Sequence, residues 1–197
     1  MKEEKRETVC TVANFFSLLR ILLIPLFLYM LINQEVLQAL VVFFVASSTD
    51  LLDGMAARVW NQKTKIGGLL DPAADKLLMA ASIIVLSIKS VSQPNTIPLW
   101  LTVIIISRDL AIATSALVLY KRIGQKRFPP SVWGKASTVC QMGIVFLVLL
   151  FNVLQTAPSF MIWLYVLTLF FTFVSGVQYG RWGYRLLFQP HSKAHNF

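Results

Sequence analysis

The chain has 197 residues, 56% of them hydrophobic and 14% charged, with a formal charge of +9. Soluble domains carry about 25% charged residues, and the apolar runs here are too long and uniform for a soluble core. Composition therefore excludes a disordered chain, an extracellular disulfide scaffold and an ordinary cytosolic enzyme. The basic balance reads as the positive-inside bias of a polytopic membrane protein, and no nucleic-acid partner is expected. Cys10 and Cys140 are isolated thiols with no metal or redox spacing.

In chain order, residues 1–10 form a cytoplasmic lead of mixed charge (Lys2, Glu3, Glu4, Lys5, Arg6, Glu7). The apolar run behind it is too long for a signal peptide and lacks a small-residue cleavage site. The predicted architecture is all-α, with six transmembrane segments at about 11–32, 36–58, 72–90, 98–120, 134–154 and 159–188. Each is near the ~20 residues that cross a bilayer. Turn chemistry separates them: Asn33-Gln34, Gly67-Gly68, Ser92-Gln93-Pro94-Asn95 and Phe128-Pro129-Pro130. Residues 11–188 make one domain, and 189–197 a cytoplasmic tail. Six alternating spans put 14 of the 18 cations on one side, among them Arg58, Lys121, Arg122, Lys126, Arg127, Lys135 and Arg181. Lys89 and Glu35 fall on the other side. Both termini are therefore expected in the cytoplasm.

Four of the five aspartates fall within 26 residues. Asp50 and Asp53 are spaced i,i+3 at the cytoplasmic part of the second helix, so they share a face. Asp71 and Asp75 are spaced i,i+4 at the start of the third, where Pro72 in the first turn would make Asp71 the N-cap. A short connection makes the two helices antiparallel neighbours, so all four carboxylates can face one volume near the inner interface. Four carboxylates so close need compensation, and each is costly at membrane depth. An all-oxygen donor set suits Mg²⁺, Mn²⁺ or Ca²⁺ and not zinc. Two divalent ions would balance the charge and serve in-line displacement at phosphorus. A lone aspartate here would be a helix cap or a lysine partner; four at this spacing are not. Gly54 and Ala57, one turn apart beside the carboxylates, leave room for a ligand or for close helix packing.

With the residues between, Asp50-x2-Asp53-Gly54-x2-Ala57-Arg58-x8-Gly67-x3-Asp71-x3-Asp75 resembles the signature of the CDP-alcohol phosphatidyltransferases, at all eight fixed positions. That resemblance implies transfer of a phosphatidyl group from CDP-diacylglycerol to an alcohol, with release of CMP. It implies that Asp50, Asp53, Asp71 and Asp75 hold two divalent ions, Mg²⁺ or Mn²⁺, and that Asp75 is the catalytic base for the acceptor hydroxyl. It further implies that Asp50, Gly54, Ala57, Arg58 and Gly67 bind the CDP-lipid, that membrane lipids surround a homodimer, and that the active site faces the cytoplasm of a bacterial inner membrane.

Three more cations sit in or at the ends of apolar segments: Arg20, Arg108 and Lys135. Such a cation needs an anionic partner. That partner is either structural, such as Asp109 for Arg108, or the phosphate of an anionic, glycerol-type acceptor. Asn14-Phe-Phe-Ser-Leu-Leu-Arg20-x4-Pro25 and Leu70-Asp71-Pro72-Ala-Ala-Asp75-Lys76 resemble the branch of phosphatidylglycerophosphate and cardiolipin synthases. Within it, glycerol 3-phosphate is the expected acceptor and phosphatidylglycerol the alternative. Synthases using glycerol 3-phosphate usually read Arg-Glu in the fourth helix and G-K-x-K-T opening the fifth. This chain reads Ser107-Arg108-Asp109, closer to the cardiolipin type, and Gly134-Lys135-Ala136-Ser137-Thr138. If glycerol 3-phosphate is the acceptor, a lysine at 137 is expected to hold or improve its use; if phosphatidylglycerol is, the same change is expected to give little gain or to block lipid entry. A cation transporter is a distant alternative, disfavoured because the aspartates cluster at one interface and do not line a path. His191 and His195 lie in the tail, which disfavours an intramembrane Ser-His protease.

Overall fold

A computed structural model describes the backbone of residues 12–60, 67–123 and 131–188, and the side chains of 18–49, 74–118 and 131–182. The described residues form six α-helices and no strand: α1 (Val12–Ile32), α2 (Val36–Trp60), α3 (Gly67–Leu86), α4 (Leu99–Ile123), α5 (Val132–Val153) and α6 (Met161–Phe188). Among the described residues three stretches are long and apolar enough to cross a membrane, Leu99–Val118, Val132–Val153 and Met161–Trp182. Leu18–Ile32 and Val36–Thr49 are shorter apolar stretches. The predicted lead, tail and Cys10 lie outside the described residues.

The third element differs most from its prediction. It begins at Gly67, so Asp71 lies inside the helix and does not cap it. A glycine pair costs a helix roughly 1 kcal/mol per residue, too little to stop Gly67–Leu70 from extending it by more than a turn. At its other end α3 stops at Leu86, not at residue 90. There Ser87 N–H donates to the Ile84 carbonyl (3.2 Å) and Ile88 N–H to that of Val85 (3.1 Å). These tight i→i−3 bonds end the α-helical ladder.

The chain divides into two compact units, Met1–Ile97 with Val145–Ala157, and Pro98–Ile144 with Pro158–Phe197. In the first, α1 packs along both α2 and α3. Its buried surface is mostly apolar: Phe27, Leu31, Phe43, Leu78, Ile83 and Leu86. The rings of Phe27 and Phe43 meet at 5.9 Å between centroids. Helix α1 tolerates Pro25, which removes one i→i−4 bond.

Helices α1 and α5 end alike. The Glu35 N–H reaches the Met30 carbonyl (2.9 Å), and the Thr156 N–H that of Phe151 (3.0 Å). The residue before each, Gln34 (φ 63°) and Gln155 (φ 52°), is left-handed. This is the Schellman ending, usually closed by glycine. A non-glycine residue costs roughly 1–2 kcal/mol there. Each glutamine side chain offsets part of that by donating to a carbonyl, Gln34 to Ser90 (3.0 Å) and Gln155 to Asn152 (2.6 Å).

The connection after α3 is held by a closed buried network. Asn152 accepts from the backbone N–H of Asn95 (2.7 Å) and donates to the Ser92 hydroxyl (2.8 Å) and the Asn95 carbonyl (3.0 Å). Asn95 in turn donates to the Thr156 carbonyl (2.7 Å). Every polar group of the loop that this network reaches is satisfied inside the first unit, as non-helical backbone at a membrane helix end requires.

The second unit is joined by α4 packing on α6 and by the first half of α5. Ser131 caps α5, its hydroxyl accepting from the Gly134 N–H (2.9 Å). Its own N–H donates to the Tyr179 hydroxyl on α6 (3.1 Å). A Cβ at Gly134 would lie 3.0 Å from that Ser131 hydroxyl and 3.3 Å from the Tyr179 ring, so glycine is what lets α5 start this close to α6.

Candidate active site

The aspartate motif lies wholly in the first unit. Asp50, Asp53, Gly54, Ala57 and Arg58 fall in the last turns of α2, and Gly67, Asp71 and Asp75 in the first turns of α3. The helical backbone gives both acidic pairs the spacing that puts their members on one face. Of these eight residues Asp75 alone has a described side chain; it is half-buried and next to the fully buried Ala74. The other seven side chains lie outside the described residues. Carboxylates are hard anionic oxygen donors, a type that suits Mg²⁺ or Mn²⁺ in kind and charge.

Arg20 lies in the same unit, on α1, with no exposed surface. Its Nε donates to the Ala46 carbonyl of α2 at 3.2 Å. Ala46 is one helical turn before Asp50, and its carbonyl also accepts from the Thr49 hydroxyl (2.7 Å). The arginine thus joins α1 to the turn of α2 that leads into the motif.

Arg108 and Lys135 lie in the second unit. Arg108 is only 9% exposed, and its Nη1 pairs with the Asp109 carboxylate at 2.6 Å. Its Nη2 donates to the Ser175 hydroxyl of α6. Adjacent helical residues diverge by about 100°, yet the long arginine side chain bends back to its neighbour. The Arg108 Nε is buried and makes no hydrogen bond among the described residues. Lys135, near the start of α5, is exposed.

Sequence reasoning missed the partners of these groups. Thr168, Thr172 and Ser175 are all buried and recur at i, i+4, i+7 along one face of the otherwise apolar α6. Ser137 has no exposed surface; it meets the Thr172 hydroxyl at 3.1 Å and accepts from Gln141 at 3.2 Å. The hydroxyl spacing on α6 was the available signal. The burial of Ser137 weighs against a lysine there. A charged side chain would enter a buried seam of hydroxyls, which costs several kcal/mol.

Residues 10–174 match the family model for CDP-alcohol phosphatidyltransferase. The chain belongs to that family. It is 31% identical over 191 residues to the CDP-diacylglycerol–glycerol-3-phosphate 3-phosphatidyltransferase of Aquifex aeolicus, covering 90% of this chain and 98% of the relative. Against the Bacillus subtilis protein of the same name identity is 35% over 186 residues, covering 84% and 91%. Against the cardiolipin synthase (CMP-forming) of Rattus norvegicus it is 35% over 196 residues, covering 90% of this chain but only 63% of the relative. The eight-residue motif lies inside the matched span.

Proposed function

We propose that this chain transfers the phosphatidyl group of CDP-diacylglycerol to glycerol 3-phosphate, giving phosphatidylglycerophosphate and CMP. The single observation that carries the reading is the complete Asp50-to-Asp75 motif on the facing ends of two consecutive helices. The acceptor hydroxyl oxygen attacks the phosphorus that bears the diacylglycerol. The bond from that phosphorus to the bridging oxygen of the pyrophosphate breaks, and CMP leaves with the bond's electrons. Asp75 takes the hydroxyl proton within hydrogen-bond reach. Asp50, Asp53, Asp71 and Asp75 would hold two divalent ions, Mg²⁺ or Mn²⁺, which when bound supply charge neutralisation at the pyrophosphate. Gly54, Ala57 and Gly67 leave space along the backbone for the nucleotide, and Arg58 pairs with its phosphates. Arg20, Arg108 and Lys135 serve the acceptor phosphate, and the structural partners of Arg20 and Arg108 orient those guanidinium groups.

Phosphatidylglycerol is the second reading for the acceptor. The Ser107-Arg108-Asp109 triplet and the tight Arg108–Asp109 pair favour it, since a guanidinium already half neutralised suits a phosphodiester monoanion better than a dianion. Purified protein given CDP-diacylglycerol and each acceptor separately distinguishes them by the lipid product. Phosphatidylglycerophosphate is expected; cardiolipin alone would transfer the assignment to the second reading.

The rest of the reading concerns placement. Residues 11–188 form one catalytic domain of six spans in a bacterial inner membrane, as a homodimer, with both termini and the site on the cytoplasmic side. Single cysteines in 121–135 and in 89–97, in a background lacking Cys10 and Cys140, should label from opposite faces. Labelling from one face contradicts six spans.

A further inference from the structure

The second unit carries a groove whose lining includes none of the residues assigned above to phosphatidyl transfer. It has a volume of about 480 Å³ and is lined by Trp133 of α5 and by Phe173, Val177, Gln178, Arg181 and Trp182 of α6. Along α6 the residues at 173, 177 and 181 follow one another by single turns, apolar, apolar, cationic. At 1.5 Å per residue that gradient spans about 12 Å. Phe173 is 68% exposed and Trp133 43%, on two helices long and apolar enough to cross a membrane. Arg181 and Gln178 are exposed and make no ion pair or hydrogen bond with any described residue. Charge at this end of the sequence is one-sided. After Asp109 the chain has no further Asp or Glu, while Lys121, Arg122, Lys126, Arg127, Lys135, Arg181, Arg185 and Lys193 follow.

We propose that this groove binds an anionic membrane phospholipid, its phosphodiester held by Arg181 and Gln178 and one acyl chain lying along Val177 and Phe173. The two tryptophans suit the headgroup–acyl boundary, where amphipathic rings concentrate. The guanidinium offers a bidentate match to a phosphodiester and lies where no carboxylate of the sequence is close along the chain. A zwitterionic lipid fits the apolar wall equally well, but it brings its own cation to the Arg181 end.

The test uses the full-length protein in phosphatidylcholine nanodiscs, with tryptophan fluorescence quenched by brominated lipid. Brominated phosphatidylglycerol is expected to quench Trp133 and Trp182 with roughly fivefold preference over brominated phosphatidylcholine, the order expected of one interfacial cation. The preference should shrink at high salt. Arg181→Gln should abolish it while leaving quenching by phosphatidylcholine unchanged. Arg181→Lys should keep most of it. Trp133→Phe and Trp182→Phe should each remove part of the phosphatidylglycerol-dependent signal. A preference that survives Arg181→Gln overturns the proposal, as does equal quenching of the wild type by both lipids. If neither lipid quenches Trp133 or Trp182, a second copy of the chain covers the groove, and the proposal fails. None of these readouts depends on turnover.

Discussion

The two units hold themselves together by different means. In the first, α1 lies on α2 and α3 through Phe27, Leu31, Phe43, Leu78 and Leu86, with Arg20 the one fully buried charge among the described residues. In the second, hydroxyls and amides line the buried faces: Ser137, Gln141, Thr168, Thr172 and Ser175, with Arg108 and Asp109 beside them. Lipid tails are as apolar as leucine, so burial alone does not draw membrane helices together. Apolar packing joins the helices of the first unit, whose buried hydrogen-bond network lies around the loop after α3, and inter-helix hydrogen bonds join those of the second. In the first unit the fully buried Arg20 donates to the turn that precedes the aspartate motif. In the second unit Arg108 is paired with Asp109 and donates to Ser175, so its guanidinium is held by structure as well.

That contrast can be broken experimentally. The largest effect belongs to the motif. Asp50→Asn and Asp71→Asn are each expected to lower turnover to background and to weaken Mn²⁺ binding, measured by electron paramagnetic resonance. Turnover within tenfold of wild type would contradict the shared donor set. Asp75→Asn should likewise abolish transfer, yet cost CDP-diacylglycerol binding less than it costs turnover. A variant that binds poorly but turns over normally once saturated would refute its role as base.

Next come the two arginines. Arg20→Ala should raise the acceptor KM by roughly ten- to a hundredfold, the loss of one charge-assisted contact, with a smaller change for the CDP-lipid. Arg108→Ala should do the same and, unlike Arg20→Ala, also remove the 2.6 Å ion pair with the half-buried Asp109 carboxylate. Its melting temperature should therefore fall further, and Arg108→Ala/Asp109→Ala should recover part of the fall but none of the KM. Equal melting temperatures for the two single variants would erase the distinction between the units.

Ser137→Lys sharpens the contrast from the other side. A lysine in the buried seam should destabilise the protein markedly and improve use of neither acceptor. Ser137→Ala should cost only the ~0.6 kcal/mol typical of an inter-helix hydrogen bond in a membrane protein. A Ser137→Lys variant as stable as wild type and better with glycerol 3-phosphate would show that the seam opens to substrate.

Much of this was legible in sequence. Six apolar segments lay within a few residues of the six helices because hydropathy and turn residues report the same constraint, that backbone in lipid must bond to itself. The error at α3 came from reading Gly67-Gly68 as a stop and Pro72 as a first-turn residue. Glycine lowers helix stability without forbidding helix, and tertiary context decided. The aspartate motif was visible because its chemistry needs residues close in the chain. The partners of Arg108 and Ser137 were not, because Ser175 and Thr172 lie 67 and 35 residues away. Only the i, i+4, i+7 hydroxyls of α6 pointed to a polar seam, and nothing local says what such a seam faces. Asp109 was legible beside Arg108 as a structural partner, and the long arginine side chain bends back to reach it.

The most direct measurement follows CMP. Full-length protein in detergent or nanodiscs is incubated with CDP-diacylglycerol and glycerol 3-phosphate, and free CMP and lipid product are quantified together. Equimolar CMP and phosphatidylglycerophosphate are expected with Mg²⁺ or Mn²⁺, neither in excess EDTA, and both again when the metal is restored. CMP release undiminished by EDTA, or no CMP with any alcohol acceptor, would contradict phosphatidyl transfer at the aspartate motif.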